Sequence, residues 1–111
     1  MAKARYLTVV ATDCAAADEK KFNEWYDQNH IPILMKYEGV KKVTRYKVNG
    51  DAPNGGRYLA IYEFDTAASR AAQMGSPAFQ EAMAEMQQSW PKGGVNIKWM
   101  GNYDPIQTFD R

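Results

Sequence analysis

The sequence predicts an α+β domain whose elements follow the order strand, helix, strand, strand, helix, strand. Apolar and polar residues alternate along four short segments, as they do in half-buried strands. Two other segments repeat apolar residues with the 3.6-residue period of an amphipathic helix. Segments rich in glycine, proline and asparagine separate these elements. With 111 residues, the chain has the length of one such domain, which we expect to span residues 1–111.

The first strand is predicted at residues 6–11, and a helix follows from residue 15 to about residue 30. One face of this helix, within about 100° of arc, carries Phe22, Trp25, Tyr26, Asn29 and Ile33. Pro32 has no backbone N–H, and its ring crowds the preceding turn, so we expect the helix to break there. A short turn then leads to Gly39.

Two further strands are predicted at residues 40–48 and 57–64, joined by the turn-forming segment 49–56. In the first of them, one face is expected to carry Val40, Thr44, Tyr46 and Val48. In the second, one face is expected to carry Tyr58, Ala60, Tyr62 and Phe64. Leu59 and Ile61 then point to the opposite face of that strand.

The second half of the chain predicts a short helix at 66–74, capped by Asp65, and then a longer helix. Ser76 and Pro77 are suited to the cap and the first helical position of the longer helix. Its apolar stripe consists of Phe79, Ala82, Met83, Met86 and Trp90. The alternation of Val95, Ile97 and Trp99 indicates a fourth strand. Residues 102–111 have too little pattern to assign.

Two strand–helix–strand halves of this kind form a ferredoxin-like βαββαβ sandwich, an antiparallel sheet with both helices on one face. Several strands are apolar on both faces, so we expect the helix-free face to be covered as well. In so small a domain the cover has to come from another chain. The sequence therefore predicts a homodimer through the open sheet face, with a tail from about residue 102 packing on the partner subunit.

Composition excludes several classes of partner. The chain has 14 basic and 13 acidic residues and a net charge of +1, so it lacks the basic surface that nucleic-acid binding needs. No apolar run approaches the roughly 20 residues of a membrane span, and no signal-peptide core follows the first residues. Cys14 is the sole cysteine, which fits a reducing compartment. We expect a cytoplasmic protein.

One stretch shows a characteristic order of residue types, Trp25-Tyr26-x-x-x-His30-Ile31-Pro32, followed by Gly39 and then Arg45-Tyr46. In this respect the chain resembles the EthD-like branch of the dimeric α+β barrel superfamily, over roughly residues 6–99. The resemblance implies two ferredoxin-like subunits that pair their sheets into a barrel. It also implies that His30 borders a cavity between helices and sheet. The superfamily includes cofactor-free oxygenases, isomerases, lyases, haem proteins and members without assigned activity, so the fold alone implies no reaction.

His30 is the only histidine of the chain, and its ordinary pKa of about 6.5 suits proton transfer at neutral pH. We predict that it acts as general acid or base toward a small aromatic or carbonyl compound. Tyr26 and Arg45 are the other predicted catalytic residues, positioning the substrate or stabilising an oxyanion. Asp27 could orient the imidazole. The alternative is that His30 caps the helix end by bonding to a final carbonyl group.

Four aromatic residues are predicted to line a pocket for a planar ligand, with tyrosine hydroxyls as donors: Tyr46, Tyr58, Tyr62 and Trp99. Each could equally be an ordinary core aromatic. Arg45 could likewise extend from its strand into solvent. Cys14 is expected to be a structural thiol, since a helix's length, on the order of 20 Å, separates it from His30.

These features favour a small enzyme that acts without a cofactor on an aromatic or polyketide-like molecule, by oxygenase, isomerase or lyase chemistry. The alternative is a non-catalytic small-molecule-binding or stress-response protein with the same barrel. One histidine and one cysteine are a poor supply of metal ligands, so we expect no metal site. A haem-binding protein is a less favoured alternative, because one histidine suffices as proximal ligand.

Overall fold

The computed structural model describes residues 4–111. The elements along the chain are β1 (Tyr6–Asp13), α1 (Glu19–Trp25), α2 (Ile31–Leu34), β2 (Val40–Lys47), β3 (Tyr58–Phe64), α3 (Ala67–Ala72), α4 (Pro77–Ser89) and β4 (Asn96–Tyr103). A π-helical turn, Tyr26–His30, joins α1 to α2. Short 3₁₀ turns occur at Ala16–Asp18 and Gln73–Gly75. This order confirms the predicted α+β, ferredoxin-like βαββαβ fold.

The sheet has the strand order β2-β3-β1-β4, and every neighbouring pair is antiparallel. The helices cover one face, where β3 buries alternate residues as predicted: Tyr58, Ala60, Tyr62 and Phe64. Phe22 from α1 and Phe64 are the largest fully buried side chains. Within residues 4–111, no helix is both long and apolar enough to cross a membrane.

The first long helix does not break at Pro32, contrary to the sequence prediction. The helical path continues from α1 into α2 through the π turn, in which the N–H of Ile31 bonds to the carbonyl of Tyr26, five residues earlier. The wider π turn precedes Pro32, which lies in the first turn of α2, where a missing N–H is tolerated. His30 is therefore inside a helical rod and not at its end.

The fourth strand contains a bulge that the alternation of apolar residues did not predict. Trp99 pairs with Ala11 of β1, whereas Ile97 pairs with Thr12, so one extra residue of β4 is inserted between them. An inserted residue turns every following side chain to the other face of the sheet. Ile97 faces the helices and Trp99 faces away, although the sequence placed them on one face.

A second bulge, near the start of β2, corrects another predicted face. Val40 pairs with Phe64 of β3, and Lys42 pairs with the adjacent Glu63, so the register shifts between them. Val40 is buried under the helices, whereas Tyr46 pairs with Leu59 on the opposite face. The predicted common face of Val40 and Tyr46 is therefore wrong.

The cap of α4 agrees with the sequence prediction, whereas that of α3 does not. The Ser76 hydroxyl accepts a hydrogen bond of 3.2 Å from the N–H of Phe79. In α3 the capping residue is Thr66, whose hydroxyl accepts the N–H of Ser69 at 3.0 Å. Asp65, the predicted cap, instead forms an ion pair with Arg5.

The tail begins later than predicted, because β4 includes residues 102 and 103. Residues 104–111 follow without helix or strand. Asp104 forms an ion pair of 2.7 Å with Arg70 at the start of this tail. Beyond it, the side chains of Ile106 and Phe109 are 97% and 88% exposed.

Candidate functional site

A cavity of about 420 Å³ lies between the helices and the face of the sheet that they cover. Most of its wall is apolar, with Val10 from β1, Leu34 from α2, and Phe79, Met83 and Met86 from α4. Binding sites for small organic molecules commonly have about this size and this character, with a few polar groups among apolar walls.

The imidazole of His30 forms part of this wall. The π turn brings the ring between two aromatic side chains. The imidazole stacks on Trp25, with 4.7 Å between the ring centres, and packs edge-to-face against Tyr26, with 5.0 Å between the ring centres. Only 6% of the residue is exposed. Its Nδ1 is buried and has no hydrogen-bond partner among the described residues. A capping histidine would bond to a terminal carbonyl group, and this nitrogen makes no such bond.

Burial lowers the pKa of His30 from 6.5 to about 4, because the imidazolium form loses its hydration. The negative charge of Glu85 opposes this decrease, and the positive charge of Arg45 adds to it. The ring is therefore neutral at physiological pH, with one nitrogen that can accept a proton. This protonation state suits a general base and not a general acid.

We expect acidification to destabilise the protein through His30. The ordinary pKa of 6.5 applies to the unfolded chain and about 4 to the folded one, so between these pH values only the unfolded chain takes up the proton. The free energy of unfolding then decreases as the pH falls through this window, by about 2 kcal/mol between pH 7 and pH 4.5.

Urea unfolding of the wild type and of His30→Phe at these two pH values measures this contribution. Phenylalanine keeps an aromatic ring between Trp25 and Tyr26 but cannot be protonated. The carboxylates of the two proteins are the same, so His30→Phe should lose about 2 kcal/mol less than the wild type on acidification. Equal losses in the two proteins would show that burial does not hold the ring neutral.

Trp25 connects the His30 ring to an acidic side chain of α4. Its indole N–H donates a hydrogen bond of 2.7 Å to Glu85, which also accepts the hydroxyl of Ser89. Glu85 thereby fixes the indole plane on which the imidazole stacks. The tryptophan of the sequence motif thus holds His30 in place.

Tyr26 and Tyr62 lie beside each other on the cavity wall, with their hydroxyl oxygens 3.5 Å apart. Burial raises the pKa of Tyr26, and it raises the pKa of Tyr62 well above its ordinary value, with the neighbouring Tyr26 adding to the second increase. Both phenols therefore stay protonated at neutral pH. They can donate hydrogen bonds to an oxygen of a ligand.

Arg45 contacts Tyr26 but does not line the cavity. Its guanidinium lies 4.4 Å from the centre of the Tyr26 ring. The two terminal nitrogens donate hydrogen bonds of 2.7 Å to Asp27 and to Asn23. Asp27 is thus engaged with Arg45 and does not orient His30. The geometry gives Arg45 a role in holding Tyr26.

Tyr46 and Tyr58 lie away from His30, in a shallower cleft of about 300 Å³ that Arg45 also borders. The hydroxyl of Tyr58 donates to the Glu19 carboxylate and accepts a hydrogen bond of 3.4 Å from Asn23. Tyr46 is 52% exposed. Six of the seven predicted site residues are therefore divided between two clefts.

Trp99 lies on the face of the sheet that the helices leave uncovered, beside Ala11. The bulge in β4 places it there, so it does not line the His30 cavity. Of the seven predicted residues, the structure brings three together at this cavity: Tyr26, His30 and Tyr62.

Sequence reasoning missed five polar residues of the cavity wall: Thr8, Thr12, Arg70, Gln73 and Asn102. Thr8 offered one signal, since it is a polar residue on the buried side of β1. Arg70 and Gln73 come from α3 and the turn after it, which resemble an ordinary surface segment. Asn102 belongs to the last part of β4, where the sequence pattern had ended.

The remaining candidate, Cys14, is half-buried, and burial raises the pKa of its thiol. Arg57 donates a hydrogen bond of 2.7 Å to its backbone carbonyl. Nowhere in residues 4–111 do three or more histidine, cysteine, aspartate or glutamate side chains gather as a metal site requires.

Three solved structures share the fold of this chain. The chain is similar to HapK from Hahella chejuensis, with a TM-score of 0.71, 9% identity, and 96% of this chain and 97% of that chain covered. It is also similar to an EthD family protein from Bacillus halodurans, with a TM-score of 0.63 and 17% identity. That alignment covers 86% of this chain and 96% of the other. A third similar structure is that of SnoaB from Streptomyces nogalater, a cofactor-independent oxygenase, with a TM-score of 0.67 and 12% identity. That alignment covers 97% of this chain and 100% of the other. The predicted resemblance to the EthD-like, dimeric α+β barrel proteins is confirmed as a likeness of fold.

The sequence comparison defines the family. The sequence profile of the family described as "Domain of unknown function (DUF4286)" matches residues 5–93. The chain belongs to this family. No curated protein matches it by sequence.

Proposed function

We propose that the chain is a small enzyme that acts, without a cofactor, on an aromatic or polyketide-like molecule held in the His30 cavity. The observation that carries this proposal is a neutral, buried imidazole on the wall of an apolar cavity, whose Nδ1 has no hydrogen-bond partner among residues 4–111. A buried polar atom without a partner is costly, and function is one reason to retain it. The similarity to SnoaB supports the proposal, because that protein is a cofactor-independent oxygenase.

In the proposed reaction His30 is the general base. It accepts a proton from a C–H or O–H group of the ligand, and the electron pair left behind moves onto a conjugated oxygen. Tyr26 and Tyr62, whose hydroxyl oxygens lie 3.5 Å apart on the same wall, position the ligand beside His30. The new imidazolium is stabilised by the adjacent anion and by Glu85. Isomerisation, elimination or reaction with O₂ can each proceed from such an anion.

Arg45 supports this site through Tyr26. Its guanidinium is fixed by Asp27 and Asn23 and stacks on the Tyr26 ring, so it limits where the Tyr26 hydroxyl can lie. We therefore assign Arg45 to positioning and not to contact with the substrate.

A second candidate is a non-catalytic binding protein with the same cavity. The observation that favours it is the burial of His30, of which only 6% is exposed. Burial lowers the pKa of the imidazole to about 4, and a base works best when its pKa lies near the working pH. Both candidates require a small molecule in the cavity. They differ in whether His30 removes a proton from it.

Ligand entry can be tested with Ala71→Trp, which places an indole in the mouth of the cavity. Ala71 and Ala72 are neighbouring exposed residues of α3, but only Ala71 lines the cavity. Calorimetric titration with the bicyclic ketone 1-tetralone should show binding to the wild type and to Ala72→Trp, and at least tenfold weaker binding to Ala71→Trp. Absence of binding to the wild type, or equal binding to both variants, would refute the cavity as the ligand site.

We also propose that two copies pair through the helix-free face of the sheet. Val9 and Ala11 are already buried on this face, and the partly buried Leu59, Ile61 and Trp99 surround them. A connected apolar surface of this kind on a small domain is typical of an interface between subunits.

Ile61→Arg should separate this pair, since it places a charge in the middle of the apolar face. Light scattering after gel filtration should give the mass of two chains for the wild type and of one chain for the variant. Gln87→Arg adds the same charge on the exposed side of α4 and should remain a dimer. A dimeric Ile61→Arg protein would show that the subunits do not pair through this face.

The tail, residues 104–111, is proposed to pack on the partner subunit. Ile106 and Phe109 are almost fully exposed in one chain, and the ion pair between Arg70 and Asp104 fixes where the tail departs. A second chain would bury these two apolar side chains. The single-domain assignment for residues 1–111 includes this tail.

The sole cysteine supports a cytoplasmic location, because a reducing compartment keeps thiols free. Cys14 has no second cysteine with which to form an intrachain disulfide. We therefore propose that the enzyme works in the cytoplasm.

A further inference from the structure

Polar side chains form a row across the sheet on the floor of the cavity. The strand register places Thr8 of β1 directly beside Tyr62 of β3 on one side and Asn102 of β4 on the other. All three line the cavity. Residues paired across neighbouring strands share one face, so these three side chains point the same way. We refer to Tyr62, Thr8 and Asn102 as the polar row.

The hydrogen bond within the polar row determines what Asn102 offers to a ligand. The hydroxyl of Thr8 donates to Oδ1 of Asn102 at 2.9 Å. Thr8 is buried in a central strand, so it holds the amide in one orientation. An asparagine amide has one oxygen and an NH₂ group with two donors. Because Thr8 engages the oxygen, the NH₂ group is the part left to bind a ligand.

Arg70 binds the backbone of β1 and β4 one residue away from the polar row. Its Nη1 donates to the carbonyl of Leu7 at 3.3 Å and to that of Tyr103 at 3.1 Å. Leu7 and Tyr103 are paired with each other, and they adjoin Thr8 and Asn102 in sequence. A guanidinium has five N–H donors, so these two bonds and the ion pair with Asp104 leave donors for a further acceptor.

The charges around the Arg70 guanidinium favour an acceptor without net charge. Asp104 lies 2.7 Å from Nη2 of Arg70, so it offsets the charge of the guanidinium. A carboxylate ligand would meet the repulsion of Asp104. A carbonyl oxygen accepts two hydrogen bonds and brings no net charge.

We propose that Asn102 and Arg70, with Thr8 as positioning residue, bind a ketone carbonyl oxygen of the ligand. This inference rests on the proposed function and narrows it to aromatic ketones. Hydrogen-bond donors directed at a substrate oxygen select strongly against an analogue that lacks it, because the donors are then left unpaired. The apolar remainder of the cavity binds the ring system.

The test compares 1-tetralone with tetralin, which has the same two rings and no oxygen, by calorimetric titration. Asn102→Ala should weaken 1-tetralone binding about 3- to 10-fold and leave tetralin unchanged. Thr8→Val keeps the shape of the side chain and should reduce the preference for the ketone in the same way. Asn96→Ala, at the start of the same strand and outside the cavity, should change neither affinity.

The two proposals fail in different ways. If neither compound binds the wild type, the cavity is not the ligand site and both proposals fall. If both bind but Asn102→Ala leaves the preference for the ketone unchanged, the carbonyl site is wrong while the cavity stands. Tighter binding of 2-naphthoate than of 1-tetralone, lost in Arg70→Gln, would show that an anion is the preferred ligand.

Discussion

Replacing His30 with glutamine is expected to slow the exchange of the C2 protons of 1-tetralone into D₂O by about 10²–10⁴-fold. Exchange at this carbon requires removal of a proton next to the carbonyl group, which is the step proposed for His30. Glutamine has a similar size and can form hydrogen bonds, but it is not a base. Proton NMR measures the exchange rate after subtraction of the rate without protein.

The control for this experiment is Gln28→Ala. Gln28 is an exposed residue of the same π turn, so its removal tests whether any change in this turn slows exchange. A wild type that binds 1-tetralone without accelerating exchange would favour the non-catalytic binding protein. Acceleration that His30→Gln retains would assign the base to another residue.

The pH profile of the wild type adds a second criterion. The base must be unprotonated, and burial holds the pKa of His30 at about 4. The rate in the free enzyme should therefore stay constant as the pH falls through 6.5 and decrease only near pH 4. A decrease centred near pH 6.5 would indicate a solvated imidazole.

Phe22→Ala is expected to lower the free energy of unfolding by about 3–5 kcal/mol. Phe22 is fully buried, and its ring packs against those of Tyr26 and Tyr58, with 5.4 Å and 5.6 Å between the ring centres. The ring centres of Trp25 and Trp90 each lie 6.3 Å from the ring centre of Phe22. Truncation removes the contact common to all four rings and leaves a cavity beneath Tyr26. Urea unfolding at neutral pH measures the loss.

The graded variant Phe22→Leu separates packing from other effects. Leucine fills most of the space, so its cost should be clearly smaller than that of alanine. Because Tyr26 rests on Phe22, Phe22→Ala should also weaken 1-tetralone binding. A loss of stability below about 1 kcal/mol in Phe22→Ala would show that this ring is not central to the core.

The sequence predicted much of the fold because its signals are local. The stripe with Phe22, Trp25 and Tyr26 is a helical period, and Ser76 before Pro77 is a helix start that depends on a few adjacent residues. The π turn was not predicted, since Pro32 alone indicates a break. Helix α1 continues because the aromatic stripe packs on the sheet, and that contact is not visible in the sequence.

The candidate site was predicted in part. His30 and Tyr26 lie on the helix that the motif identifies, and Tyr62 on the buried face of β3. Asn102 and Arg70 were missed, because what brings them together is strand pairing between the two ends of the chain. Interactions between residues far apart in sequence leave no local pattern.

By itself, the sequence determined the order of the elements, the apolar stripes of the helices and the single titratable histidine beside two aromatic rings. Only the tertiary structure decided which face the residues of β2 and β4 occupy. The bulges in β2 and β4 separate Val40 from Tyr46 and Ile97 from Trp99. The physical reason is that alternation has a period of two, so one inserted residue reverses every side chain beyond it. Where that residue is inserted depends on the neighbouring strand.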